Sequence, residues 1–104
     1  SYTNSRFNAA TGLARHGDPR AVNVLLQMLN PDDLTVVAGE KTAESEINKR
    51  SLVIRNGIRA VEIFSQKGTG KGLEELLLAL EHIESTELPV TIKLQAKETL
   101  LKIR

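Results

Sequence analysis

Lys67-Gly68-Thr69-Gly70-Lys71-Gly72 is the stretch of this 104-residue chain that comes nearest to a chemical device, a glycine-rich loop able to cradle phosphate. Such a loop needs GxxxxGK[ST] between a strand and a helix, so that backbone N–H groups wrap the phosphates and a hydroxyl reaches magnesium. Gly72 stands where the Ser or Thr is required, and the residues before Lys67 have helical periodicity. The stretch therefore reads as a flexible turn between helices. The two imidazoles, His16 and His82, fall on different helical patterns with no carboxylates in ligand spacing around them. His16 reads as a solvated residue near a helix C-terminus and His82 as an exposed one. Ser51, Ser65 and the threonines have no base at a recognisable spacing, so no nucleophile signature is present. These residues point away from an enzyme and imply neither cofactor nor metal.

The cations offer a different chemistry. Arg55 and Arg59 stand one turn apart with Lys49 and Arg50 upstream, a ridge of the kind that holds phosphates. The plainer reading is a solvated outer face, with Arg59 paired to Glu62 and Glu46 to Arg50 at helical spacing. No aromatic stacking residue or base-reading motif accompanies the charges. A net charge of +1 supplies no overall attraction to nucleic acid or an anionic membrane. The chain has no cysteine, hence no disulfide framework and no thiolate chemistry, which fits a reducing compartment such as the cytoplasm. No apolar run approaches the ~20 residues of a membrane span. Opening on Ser1 rather than Met, the chain reads as a piece of a longer protein.

The elements that carry these residues are helical throughout. Phe7, Ala10, Leu13 and Ala14 recur at three- and four-residue steps and make one buried stripe. Gly17 closes that helix, Asp18 caps the next, and Pro19 occupies its first turn. Val22, Leu25, Leu26 and Leu29 face back onto the first stripe. Upstream, Thr3 or Asn4 is the expected cap. Asn30 to Thr42, with the β-branched run Leu34-Thr35-Val36-Val37 and then Gly39, is the least helical part and long for a connection in a helical array. Helical signal resumes at Glu44-Ser45-Glu46 and continues through Ile47, Ile54, Ile58, Val61 and Phe64. Leu52 and Val53 lie partly outside that stripe and are placed to pack on the long loop. Gly57 either weakens this helix or lets a neighbour approach closely. A fourth helix is expected from Lys71 to Glu84 with Leu73, Leu76, Leu77, Leu80 and Ile83 inward. Pro89 opens a fifth, with Ile92, Ala96, Leu100 and Ile103 on one side and Leu94 and Leu101 on another. Apolar on two sides, that helix expects a partner: its face is either a cut edge of a longer solenoid or an association surface, including one for self-association, and the residues favour neither.

Sliding the chain along itself by about fifty residues carries Phe7 onto Ile58, Ala10 onto Val61, Leu13 onto Phe64 and Gly17 onto Gly68. At the same offset Asp18 meets Thr69, Arg20 meets Lys71, Leu25 and Leu26 meet Leu76 and Leu77, and Leu29 meets Leu80. A weaker third match sets Ala96 and Leu100 on Ala60 and Phe64. The run Ala9-Ala10-x-x-Leu13-Ala14-Arg15-x-Gly17-Asp18-Pro19-Arg20-Ala21-Val22-x-x-Leu25-Leu26-x-x-Leu29 resembles a HEAT repeat, of the short bacterial type labelled lyase-like after the bilin lyases that contain it (PBS-lyase-type). The second unit departs from it at Gly70 and Gly72, which replace Pro19 and Ala21.

The resemblance implies an all-α fold, a superhelix or solenoid of antiparallel helix pairs with about five helices and two and a half repeats. As one domain it spans residues 1–104: a first pair over about 3–30, a long loop over 31–43, a second pair over 44–85 and a fifth helix over 89–104. It also implies a non-enzymatic scaffold that binds a protein or peptide. The second helix of each pair usually lines the concave side of such arrays, so Asn23, Gln27 and Asn30 with Glu74, Leu78 and Glu81 are the expected partner-binding residues. The alternative is a nucleic-acid-binding module that grips the phosphate backbone. Gathering of Arg15, Arg20, Arg55, Arg59 and Lys71 in a groove would favour that alternative, and scattering would favour the scaffold.

Overall fold

The structure is a computed structural model that describes residues 2–67 and 70–104, together with the side chains of all of these but Tyr2. Gly68 and Thr69, the repeat counterparts of Gly17 and Asp18 and part of the phosphate-loop comparison, lie outside the described residues. Five α-helices succeed one another: α1 (Tyr2–Arg15), α2 (Val22–Leu29), α3 (Ala43–Lys67), α4 (Leu73–Glu84) and α5 (Val90–Ile103). Two short 3-10 turns, Pro19–Ala21 and Leu34–Val37, complete the regular structure, and no strand occurs among the described residues.

The first hinge shows how local chemistry turns the chain. Gly17 adopts φ 66°, a left-handed conformation that costs glycine nothing. Its N–H donates to Ala14 O at 3.0 Å while Asp18 N–H donates to Leu13 O at 3.0 Å, the paired bonds of a Schellman ending. Asp18 then caps the Pro19–Ala21 turn, accepting from Arg20 N–H at 2.9 Å. The Arg20 guanidinium closes on the same carboxylate, with Nη2 at 2.7 Å from Oδ2. These hydrogen bonds from the Arg20 side chain and backbone hold the Asp18 carboxyl below its ordinary value of 3.8. A depressed carboxylate stabilises the fold above its unfolded value and loses that contribution as pH falls through the folded one. Asp18→Ala is therefore expected to melt below wild type at neutral pH. The difference should shrink as pH drops below about 3.8 in a series of thermal melts.

α1 begins at Tyr2, so Thr3 and Asn4, expected as caps, are helical residues instead. Their side chains sit on the surface of the first turns: Asn4 is exposed and Thr3 is half-buried.

Arg50 explains the connection between α2 and α3. Its guanidinium donates to Asn30 O at 3.2 Å and Asp33 O at 2.9 Å, tying the segment down to α3. Asp33 caps the 3-10 turn through Thr35 N–H at 2.8 Å, and Val36 and Val37 are buried. Part of the expected irregular loop is thus an ordered turn that feeds the core.

α3 is the shared member of the molecule, in contact with α1, α2, α4 and α5, while α2 also packs on α4. Val53, Ile54, Ile58, Ala60, Val61 and Phe64 are buried along it. Lys49 meets Asn4 at 3.0 Å, Gln95 meets the Arg55 carbonyl at 3.4 Å, and Lys102 meets Glu62 at 3.2 Å. Because residue numbers rise together across the last two contacts, α3 and α5 run parallel. Ile47, expected on the buried stripe, lines an open cavity beside the Glu87-Leu88-Pro89 connection and is 58% exposed. Leu52, expected to pack on the long loop, is 51% exposed, whereas Val53 is buried.

Gly57 has a definite reason. A Cβ there would stand 3.1 Å from Leu29 Cδ2 and 3.3 Å from Met28 Cβ, so its lack of a side chain admits α2. Gly57→Leu is expected to destabilise the protein by about 2–3 kcal/mol through overpacking, despite the better helix propensity of leucine. A urea midpoint equal to that of wild type would refute the close approach.

Candidate functional site

The six residues expected to contact a partner lie on α2, at its C-cap, or on α4. Asn23, Glu74 and Leu78 are exposed, Leu78 at 58%. The others hold the fold together. Gln27 accepts from Arg6 Nη1 at 2.7 Å and donates to Thr35 Oγ1 at 2.9 Å. Asn30 accepts from Asp32 N–H at 2.9 Å through its side chain, and Glu81 is ion-paired with Arg104. Gln27 also helps Asp33: burial raises that carboxyl, but hydrogen bonds from Thr35, Gln27 and the Val36 N–H outweigh it and keep the group below its ordinary value. As a strip, the α2 half is thus largely committed to internal contacts.

A different surface collects polar and cationic groups between two helices. Between α1 and α3 runs a groove of about 540 Å³. Asn4, Asn8, Thr11 and Arg15 line it from α1, at steps of four, three and four that place them on one face. Lys49, Asn56 and Arg59 line it from α3, with Leu52 and Ile63 among them. Phe7, Val53 and Ala60, all buried, form its floor with Met28 of α2. Among the described residues no carboxylate lines the groove, whereas Arg15, Lys49 and Arg59 do.

These charges are not neutralised by neighbours. Among the described residues neither Arg15 nor Arg59 has an ion-pair partner, because Glu62, the expected partner of Arg59, pairs with Lys102 instead. Glu46 likewise has no pair with Arg50, whose guanidinium is turned to the carbonyls of the α2–α3 connection. Lys49 meets the neutral carboxamide of Asn4. Long side chains at the ends and carboxamides between them make a surface that attracts anions and offers hydrogen bonds of both senses.

The remaining cations lie elsewhere. Arg20 is bound to Asp18, Lys71 is exposed in the α3–α4 turn, and Arg55 is exposed on α3 outside the groove. His16 and His82 are both exposed. Among the described residues no group of three or more His, Cys, Asp or Glu is arranged to hold a metal. A second cavity of about 310 Å³ lies between Ile47, Arg50 and Ser51 of α3 and the Glu87-Leu88-Pro89 connection, walled by charges of both signs. No helix among the described residues is long and apolar enough to cross a membrane.

The α1–α3 groove was within reach of the sequence only in halves. The spacing of Asn4, Asn8, Thr11 and Arg15 is a legible polar stripe, but that it faces Asn56 and Arg59 comes from the pairing of α1 with α3. In comparisons with known proteins, no family model, no curated protein and no solved structure matches this chain.

Proposed function

We propose that this chain is a HEAT-like helical repeat module that binds an extended acidic peptide segment of a partner protein in the groove between α1 and α3, and that it catalyses no reaction. Three features support the repeat arrangement: the internal match of the two helix pairs, the packing of α1 on α3 and of α3 on α5, and that of α2 on α4. The observation that carries the binding role is the groove's lining of three cations and three asparagines without a carboxylate. An asparagine side chain carries the donor and acceptor of a peptide bond, so Asn8 and Asn56 suit a backbone laid between the helices. Arg15, Lys49 and Arg59 suit Asp or Glu side chains along it. From Asn4 to Arg15 the groove runs roughly 16 Å at ~1.5 Å per helical residue. That length accepts about five residues of extended chain at ~3.3 Å each.

The gathering of Arg15 and Arg59 in one groove also favours an anionic polymer of the other kind, a nucleic-acid strand. Against it stands the absence, among the described side chains, of an aromatic face for base stacking, since Phe7 in the floor is only 5% exposed. Fluorescence anisotropy separates the two. A labelled peptide with five consecutive Asp or Glu residues is expected to bind saturably, more weakly as salt rises, and its Gln/Asn counterpart at least about tenfold more weakly. Tighter binding of a single-stranded oligonucleotide than of the acidic peptide would replace this reading with phosphate recognition, and binding of neither would end it.

A further inference from the structure

α5 leaves open a face whose counterparts on α1 and α3 are largely covered. Val90, Leu94 and Leu101 are 77%, 52% and 73% exposed and fall on one stripe at i, i+4 and i+11. In the register that sets Ala96 on Ala60 and Leu100 on Phe64, Val90 and Leu94 stand where α3 has Ile54 and Ile58, both 0% exposed. Leu94 also corresponds to Phe7, which is buried on α1. Lys97 sits in the middle of the stripe, where α3 has the fully buried Val61. A lysine at that position suits an interface that brings a carboxylate with it, because a buried ammonium without one is costly.

The same molecule carries such a surface. On α4, Leu76, Leu80 and Ile83 are fully buried, and the opposite side shows Glu74 and Leu78 at i and i+4, while Glu81 one turn on is paired with Arg104. Leu78 is 58% exposed, with Glu75 beside it. α4 packs inward on α2 and α5 inward on α3, and the two helices pack on each other. Their outward ridges are therefore neighbours on the outer surface of the α4–α5 hairpin, one acidic around a leucine, the other apolar around a lysine.

We propose that a second copy of this chain docks on that surface, with α4 of each copy against α5 of the other about a twofold axis. The axis makes the same contact twice, so one modest ridge-to-ridge fit is doubled. Leu78 seats between Leu94 and Leu101, and Glu74 and Glu75 face Lys97. None of these residues lines the α1–α3 groove, so the dimer and the peptide site stand or fall separately.

A charge exchange tests this. Sedimentation velocity from about 10 µM to 1 mM, a range chosen for a small interface, is expected to show wild type passing from monomer to dimer. Lys97→Glu alone and the Glu74→Lys, Glu75→Lys variant alone should each need at least about tenfold more protein to dimerise. Mixed together they should dimerise like wild type, because each α4–α5 contact again joins opposite charges. Circular dichroism confirms that both variants are folded. A wild-type monomer at every concentration overturns the proposal, as does a mixture no more associated than its components. Assemblies that keep growing beyond the dimer overturn the twofold arrangement.

Discussion

Phe64→Ala is expected to lower the unfolding free energy by about 3–5 kcal/mol, the range for removing a large aromatic side chain from a packed interior. Phe64 is 1% exposed on the helix that touches all four others, so the cavity would open where the surrounding helices are least free to collapse. Against the roughly 5–15 kcal/mol that stabilises an ordinary small domain, that loss takes away at least about a fifth of the total. Urea denaturation followed by circular dichroism measures it. Leu78→Ala, at an exposed position of α4, is the control and should change stability by no more than about 0.5 kcal/mol. Similar midpoints for the two variants would show that α3 is not the structural centre.

The second large effect concerns binding. Arg15→Glu combined with Arg59→Glu is expected to weaken the acidic peptide about a hundredfold, which is ~2.7 kcal/mol shared by two reversals that each turn attraction into repulsion. Neither guanidinium has an ion pair to lose among the described residues, so the thermal melt should stay close to that of wild type. The pair Arg55→Glu and Lys71→Glu changes net charge by the same amount outside the groove and should cost no more than about threefold, through long-range attraction alone. Equal losses in both double variants would mean that the peptide responds to overall charge and not to the groove.

Individual residues show why some of this was legible in advance. The stripe Ile54, Ile58, Val61 and Phe64 keeps one period along α3, and all four are buried. Periodicity misleads at Ile47, which keeps the same spacing but borders an open cavity beside Leu88 and Pro89. The turn at Leu34–Val37 was hidden by its β-branched composition. It is held by Arg50, a residue well downstream that reaches back to the Asn30 and Asp33 carbonyls. The polar role of Gln27 was legible, but whether it serves a partner or Arg6 and Thr35 depends on neighbours brought in by folding.

The amino-acid order by itself determined that the chain is helical, where its principal turns fall, and which stripe of most helices is apolar. All three arise from interactions a few residues long: capping by Asp18, the conformational freedom of Gly17, and side-chain spacing on a helix. Tertiary structure alone decided that α2 lies tightly against α3 at Gly57, that the Asn4–Arg15 stripe faces Arg59 across a groove, and that Glu62 answers Lys102. Those outcomes depend on which helices lie side by side, and a period of three to four residues describes a helix's own surface without naming what is pressed against it.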